Sequence, residues 1–144
     1  MSDFDPKTFF TIDSPAAPEA AKHLGFELLD ADVDRGWLRV KFTPRKEFLN
    51  PMGNVQGGFL IAMLDETMGP AVVVKSKGQY VSSSIDIATH FIRPVKLGTI
   101  STEAEVIRMG RSVAFMEGKL FDEKDRLCAT ASTSAMLTKF HVPE

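Results

Sequence analysis

The stretch Gly57-Gly58-Phe59-Leu60-Ile61-Ala62-Met63-Leu64-Asp65-Glu66-Thr67-Met68 decides the fold. It is apolar nearly all round for two turns, the pattern of a helix buried on most sides. Two glycines open it and two adjacent carboxylates interrupt it. Pro70 lacks an N–H and frees the carbonyl of Glu66, so a kink or break is expected there. The helix then resumes through Ala71-Val72-Val73-Val74 to about Lys75.

A helix this apolar needs a cover, and the downstream chain supplies one. Residues 80–92, 99–108, 112–121 and 127–140 read as long strands, punctuated by Arg93-Pro94, Gly98, Gly110 and Asp122-Glu123-Lys124-Asp125. Ala104 and Val106 alternate with Glu103 and Glu105, and Ile85 with Ile87, so one face of a curved antiparallel sheet should lie on the helix. Upstream, residues 26–33 and 36–43 form a hairpin around Asp34-Arg35-Gly36, ended by Pro44. A loop follows over residues 45–55. Residues 16–24 predict one short helix, with Ser14 as cap, Pro15 at its first position and Gly25 as its stop. Residues 1–15 read as an N-terminal arm carrying Phe4, Phe9 and Phe10. The class is α+β, with a single domain over residues 16–144.

At 144 residues and 44% apolar content, the chain has room for one core and no second domain. A net charge of −2 argues against a nucleic-acid binder, which would normally show a basic face. The single cysteine, Cys128, cannot form an intramolecular disulfide, which points to a reducing, cytoplasmic compartment. The segment Met1–Pro6 lacks a basic, apolar leader, and no apolar run is expected to reach membrane-spanning length. His23, His90, His141 and Cys128 show no metal-ligand spacing, so no metal and no cofactor is expected.

The chemistry concentrates around the helix. Each glycine in a helix interior costs about 1 kcal/mol relative to alanine, so Gly57 and Gly58 need a reason. They either let the helix start pack closely, or they let a ligand approach unpaired N–H groups at the positive end of the macrodipole. Asp65 either joins Glu66 in a solvent-facing acidic stripe or is a poorly solvated carboxylate whose pKa burial would raise, which suits a general base. Asn50 before Pro51 is either a turn residue or a hydrogen-bond donor to a ligand carbonyl.

Taken together, Asn50, Pro51, Gly53, Gln56-Gly57-Gly58 and Asp65 resemble the motif of hotdog-fold acyl-CoA thioesterases, most nearly the phenylacetate-degradation type. The resemblance continues through Ser82-Ser83-Ser84-Ile85-Asp86, His90-Phe91-Ile92-Arg93-Pro94, Lys96-Leu97-Gly98 and Arg108-Met109-Gly110-Arg111-Ser112. It implies a long central helix wrapped by a curved antiparallel five- or six-stranded sheet. It also implies a homo-oligomer, dimer or tetramer, with the active site shared between subunits. In such enzymes the N–H matching Gly57 polarises the thioester carbonyl, and the acid matching Asp65 attacks it or activates water. The hydroxyl matching Ser84 holds that water, and Asn50 lies near the thioester. Gln56 replaces the usual histidine and cannot titrate near neutral pH. Gly58, Arg93, Arg108, Gly110, Arg111 and Ser112 are the expected substrate-binding residues, with Lys75 and Lys77 as further sources of charge for CoA phosphates. His90 reads as a packing residue of its strand.

The function expected is hydrolysis of an aryl- or medium/long-chain fatty-acyl-CoA to a free acid and CoA, without nucleic acid or membrane as partner. A non-catalytic acyl-CoA binding or sensing module is the alternative. An (R)-hydratase on the same fold would need a histidine-containing motif that is missing here.

Overall fold

The computed structural model describes residues 3–11 and 17–140. Strands β1 (Glu27–Asp32) and β2 (Trp37–Phe42) form the expected hairpin. They are followed by a 3-10 turn over Lys46–Phe48 and the long helix, Gly57–Lys75. Four long strands complete the chain: β3 (Tyr80–Phe91), β4 (Ile100–Met109), β5 (Val113–Phe121) and β6 (Leu127–Lys139). The six strands form one sheet in the order β1-β2-β4-β5-β6-β3, and every adjacent pair is antiparallel. The long helix therefore carries the chain from β2 across the sheet to β3 at the far edge. This is the hotdog arrangement.

Alternation sets which side of the sheet meets the helix. In β5, Ala114, Met116, Gly118 and Leu120 are buried while Phe115, Glu117 and Lys119 are exposed. The helix answers with Leu60, Met63, Leu64, Thr67, Met68, Ala71, Val72 and Val74, a spacing of three and four that places them on one face. The approach is closest at Gly118, where an added Cβ would lie 3.1 Å from Met68 Cγ and 3.3 Å from Leu64 Cδ2. A buried polar tether crosses this interface. The buried Thr67 hydroxyl donates to the Met63 carbonyl and lies 2.7 Å from the buried Thr102 hydroxyl.

Several expectations need correction. Pro70 does not break the helix, which continues to Lys75 as expected, because the residues around it remain packed on the sheet. The helix is also long and apolar enough by composition to cross a membrane, contrary to the expectation that no run is. Half of its apolar window is buried inside this fold. The predicted helix at residues 16–24 spans Glu19–Leu24, with Gly25 closing it at φ 79°. Ser14, Pro15, Ala16 and His141 lie outside the described residues.

The arm holds a short helix over Pro6–Phe9, capped by Asp5, whose side chain accepts from the Lys7 N–H at 3.1 Å. With that turn numbered first, the helices are α1 (Pro6–Phe9), α2 (Glu19–Leu24) and α3 (Gly57–Lys75). The arm is anchored by rings: Phe10 lies 6.0 Å from Phe26, and Phe9 lies 6.0 Å from Phe140, centroid to centroid.

Candidate active site

The face of α3 that the sheet leaves half-covered borders the edge strand β3, and it carries Ile61, Ala62, Asp65, Glu66, Gly69 and Pro70. Asp65 is held there by a side-chain hydrogen bond: Ser84 Oγ donates to Asp65 Oδ1 at 2.8 Å. Ser84 sits opposite the buried Ala135, so it points toward the helix, and a β-bulge between Ser84 and Asp86 fixes that aim. The bulge also overturns the simple alternation of Ile85 with Ile87, since Ile85 is 58% exposed and Ile87 half-buried. Asp86 points away and accepts from the Ser134 N–H and hydroxyl. Those two hydrogen bonds, the hydroxyl first, hold its carboxyl below the usual range. Glu66 behaves in the opposite sense. Burial, and then the adjacent Asp65 charge, raise its pKa.

Asp65, Glu66 and Ser84 stand at one end of a pocket of about 700 Å³. Its walls are otherwise largely apolar, with Gly69, Pro70 and Val73 from α3, Val81 from β3, and Phe10, Phe26 and Phe140 from the arm, the β1 approach and the end of β6. Sequence reading missed this aromatic wall because its members are far apart in the chain. The available signal was the unassigned phenylalanine cluster of the arm.

The first turn of α3 forms a separate feature. Gln56 is its N-cap residue, exposed, with no side-chain capping bond, and its carbonyl accepts from the Phe59 and Leu60 N–H groups. The N–H groups of Gly57 and Gly58 have no intrahelical acceptor. An added Cβ at Gly57 would meet the Phe91 ring at 3.0 Å, whereas one at Gly58 would meet nothing within 4 Å. Gly57 thus answers to packing, and Gly58 faces open space. Asn50 uses its side-chain oxygen within the preceding turn, accepting from the Met52 and Asn54 N–H groups at 3.0 and 3.1 Å. This is the turn role among the two read from sequence. Along the helix, Asp65 is eight residues beyond Gly57, roughly 12 Å at 1.5 Å per residue. One thioester carbonyl cannot touch both within one chain.

The expected cations divide into two groups. Arg93 is exposed and donates to the Leu127 carbonyl at 2.7 Å, tying the loop after β3 to the start of β6. Arg108 lies near the end of β4, paired with Phe115, and Gly110, Arg111 and Ser112 form the turn into β5, where an added Cβ at Gly110 would meet the Val113 carbonyl at 3.0 Å. Met109 pairs with Ala114, Ala114 with Ala135 and Ala135 with Ser84, so this turn lies at the same end of the sheet as Asp65. His90 instead lines a second pocket, of about 470 Å³, on the outer face of the sheet with Arg35, Trp37 and Glu117.

The chain matches the family model of the thioesterase superfamily over residues 52–129. It is similar to a phenylacetic acid degradation-related protein from Ralstonia eutropha, with 30% identity, a TM-score of 0.83, and 93% of this chain and 99% of that one covered. The proofreading thioesterase EntH of Klebsiella pneumoniae is 28% identical over 85% of this chain and 88% of its own length. A Streptococcus mutans protein solved with bound acetyl CoA shares the fold, at a TM-score of 0.70 and 16% identity over 81% of this chain and 91% of its own.

Proposed function

Because the chain belongs to the thioesterase superfamily and is a thioester hydrolase, we propose that its substrate is an acyl-CoA, cleaved to a free acid and CoA. The observation that carries this reading is the Asp65 carboxylate, held by Ser84 in the lining of a largely apolar pocket. Ser84 occupies Oδ1 and leaves Oδ2 for a water molecule. Asp65 takes a proton from that water as its oxygen bonds to the thioester carbon. The C–S bond then breaks, and the proton passes to the departing CoA sulfur. Gln56 cannot carry a proton near neutral pH, so this route assigns the transfer to Asp65.

The oxyanion needs donors, and the free N–H of Gly57, with Gly58 beside it, offers them at the positive end of α3. The separation of roughly 12 Å along α3 supports a reading in which those donors come from a second copy. β3 is an edge strand. Antiparallel pairing of two β3 strands about Ile87 and Ala88 would set Ser84 of one copy beside Phe91, and so Gly57, of the other. A homodimer is then the minimal active unit, and a tetramer would be two such dimers. Arg108 and Arg111, at the Asp65 end, are the proposed phosphate contacts, with Gly110 and Ser112 shaping their turn. Arg93 already serves the Leu127 carbonyl and adds charge, and Asn50 shapes the approach to the first turn. The acetyl-CoA-bound neighbour supports a CoA ester on this fold.

The test is free-thiol release from aryl- and fatty-acyl-CoAs, with Asp65→Asn beside wild type. Turnover should fall about 10²–10⁴-fold in the variant while binding of a thioether analogue persists. Saturable binding without turnover by wild type would overturn hydrolysis in favour of an acyl-CoA binding module.

A further inference from the structure

Gly69 lies four residues beyond Asp65, on the same face of α3. A glycine inside a helix costs about 1 kcal/mol relative to alanine, so its presence asks for a reason. Packing supplies one at Gly57, crowded by Phe91, as it does for the β5 residue Gly118, crowded by Met68 and Leu64. It supplies none at Gly69, where an added Cβ would meet only Ser82 Oγ, at an ordinary 3.6 Å. Backbone conformation supplies none either, because Gly69 is helical and is not among the positive-φ glycines. What lies over it is the pocket of about 700 Å³ that begins at Asp65.

We infer that Gly69 is a specificity-determining residue: its missing side chain keeps the pocket open beside the reacting carbonyl, so that a medium- to long-chain uncharged acyl group runs past Pro70 and Val73 beneath Phe10 and Phe140. This rests on the reading that the thioester carbonyl sits at Asp65. The volume falls within the range of sites for drug-sized ligands and far exceeds an acetyl group. The charge pattern selects further. The pocket's ionisable groups are Asp65 and Glu66, and among the described residues no lysine, arginine or histidine lines it. An acyl group ending in a carboxylate would meet like charge at the mouth and no cation inside.

Gly69→Leu would fill the pocket from the helix side, and Phe10→Trp would narrow it from the arm. In the full chain, kcat/KM would be measured for dodecanoyl-CoA and butanoyl-CoA, with calorimetric binding of the matching non-hydrolysable thioethers. Gly69→Leu should lower the dodecanoyl to butanoyl ratio at least about tenfold, in turnover and in binding alike, with Gly69→Ala between it and wild type. Phe10→Trp should move the ratio in the same direction and stands in if Gly69→Leu does not fold. An unchanged ratio in both variants overturns the inference. So does an equal loss on both esters in folded Gly69→Leu protein, which would make Gly69 a support for Asp65. If wild type hydrolyses neither ester, the hydrolase reading fails by itself, and the thioether binding ratio still decides the role of Gly69.

Discussion

Leu64 and Asp65 are neighbours in sequence, yet Leu64 has no exposed surface and touches the sheet, while Asp65 stands half-buried in a pocket wall and accepts from the Ser84 hydroxyl. The same contrast divides the whole of α3. On the sheet side, Met63, Leu64, Thr67, Met68 and Ala71 are fully buried, and even the polar Thr67 has both its partners inside the protein. On the open side, Asp65, Glu66, Gly69 and Pro70 are residues that a helix interior disfavours, for reasons of charge, entropy or a missing N–H. One face is chosen by packing, and the other departs from it. Departures of this kind collect where a protein does chemistry.

The comparison would break most visibly if paired substitutions failed to separate. Leu64→Ala should cost about 2–5 kcal/mol in urea denaturation with an unchanged m-value, because the cavity it leaves lies between α3 and Gly118. Asp65→Asn, one residue on, should remain near wild-type stability, since the amide oxygen still accepts from Ser84, while thiol release collapses. If Asp65→Asn unfolded the chain as much as Leu64→Ala does, the open face would be structural.

A smaller effect sharpens the sheet side. Thr67→Val keeps the shape of the side chain but leaves the buried Thr102 hydroxyl, now 2.7 Å from its partner, without one. That should cost about 1–3 kcal/mol. The double variant Thr67→Val, Thr102→Val should recover most of the loss, because both polar groups are then gone. Thermal denaturation of the three proteins reads this directly.

How far these faces were legible in the sequence follows from the same distinction. The extent of α3 and the strand boundaries came through to within one or two residues, because a long apolar run, period two, and the Gly and Pro stops are local signals. The carboxylate, its partner Ser84 and the glycine start were legible only through a spaced motif resembling a known family. Two local signals were passed over. Asp5-Pro6 is a helix cap followed by proline, and it announces α1 within the arm. Glycine at position 69 was an anomaly in a buried helix. The bulge at Ile85 had no local signature, since it depends on how β3 registers with β6. The aromatic wall was invisible for the same reason, since Phe10, Phe26 and Phe140 meet only in the folded chain.

The finest probe of the open face is Glu66. Its carboxyl titrates above the ordinary range, from burial first and the Asp65 charge second. The folded chain therefore holds this proton more tightly than the unfolded chain, and stability is lost as pH rises from the unfolded carboxylate value through the folded one. Glu66→Gln removes that loss, so the variant should melt at most a few degrees above wild type at neutral pH and coincide with it near pH 4. The effect is small because Glu66 is only half-buried and solvent screens its charge. Melting curves that rise together with pH, or a variant that gains only at acid pH, would place Glu66 in water and make the open face an ordinary solvated stripe. A gain confined to neutral pH would instead mark a carboxylate kept in a dry setting at a stability cost, which sheet packing alone does not call for.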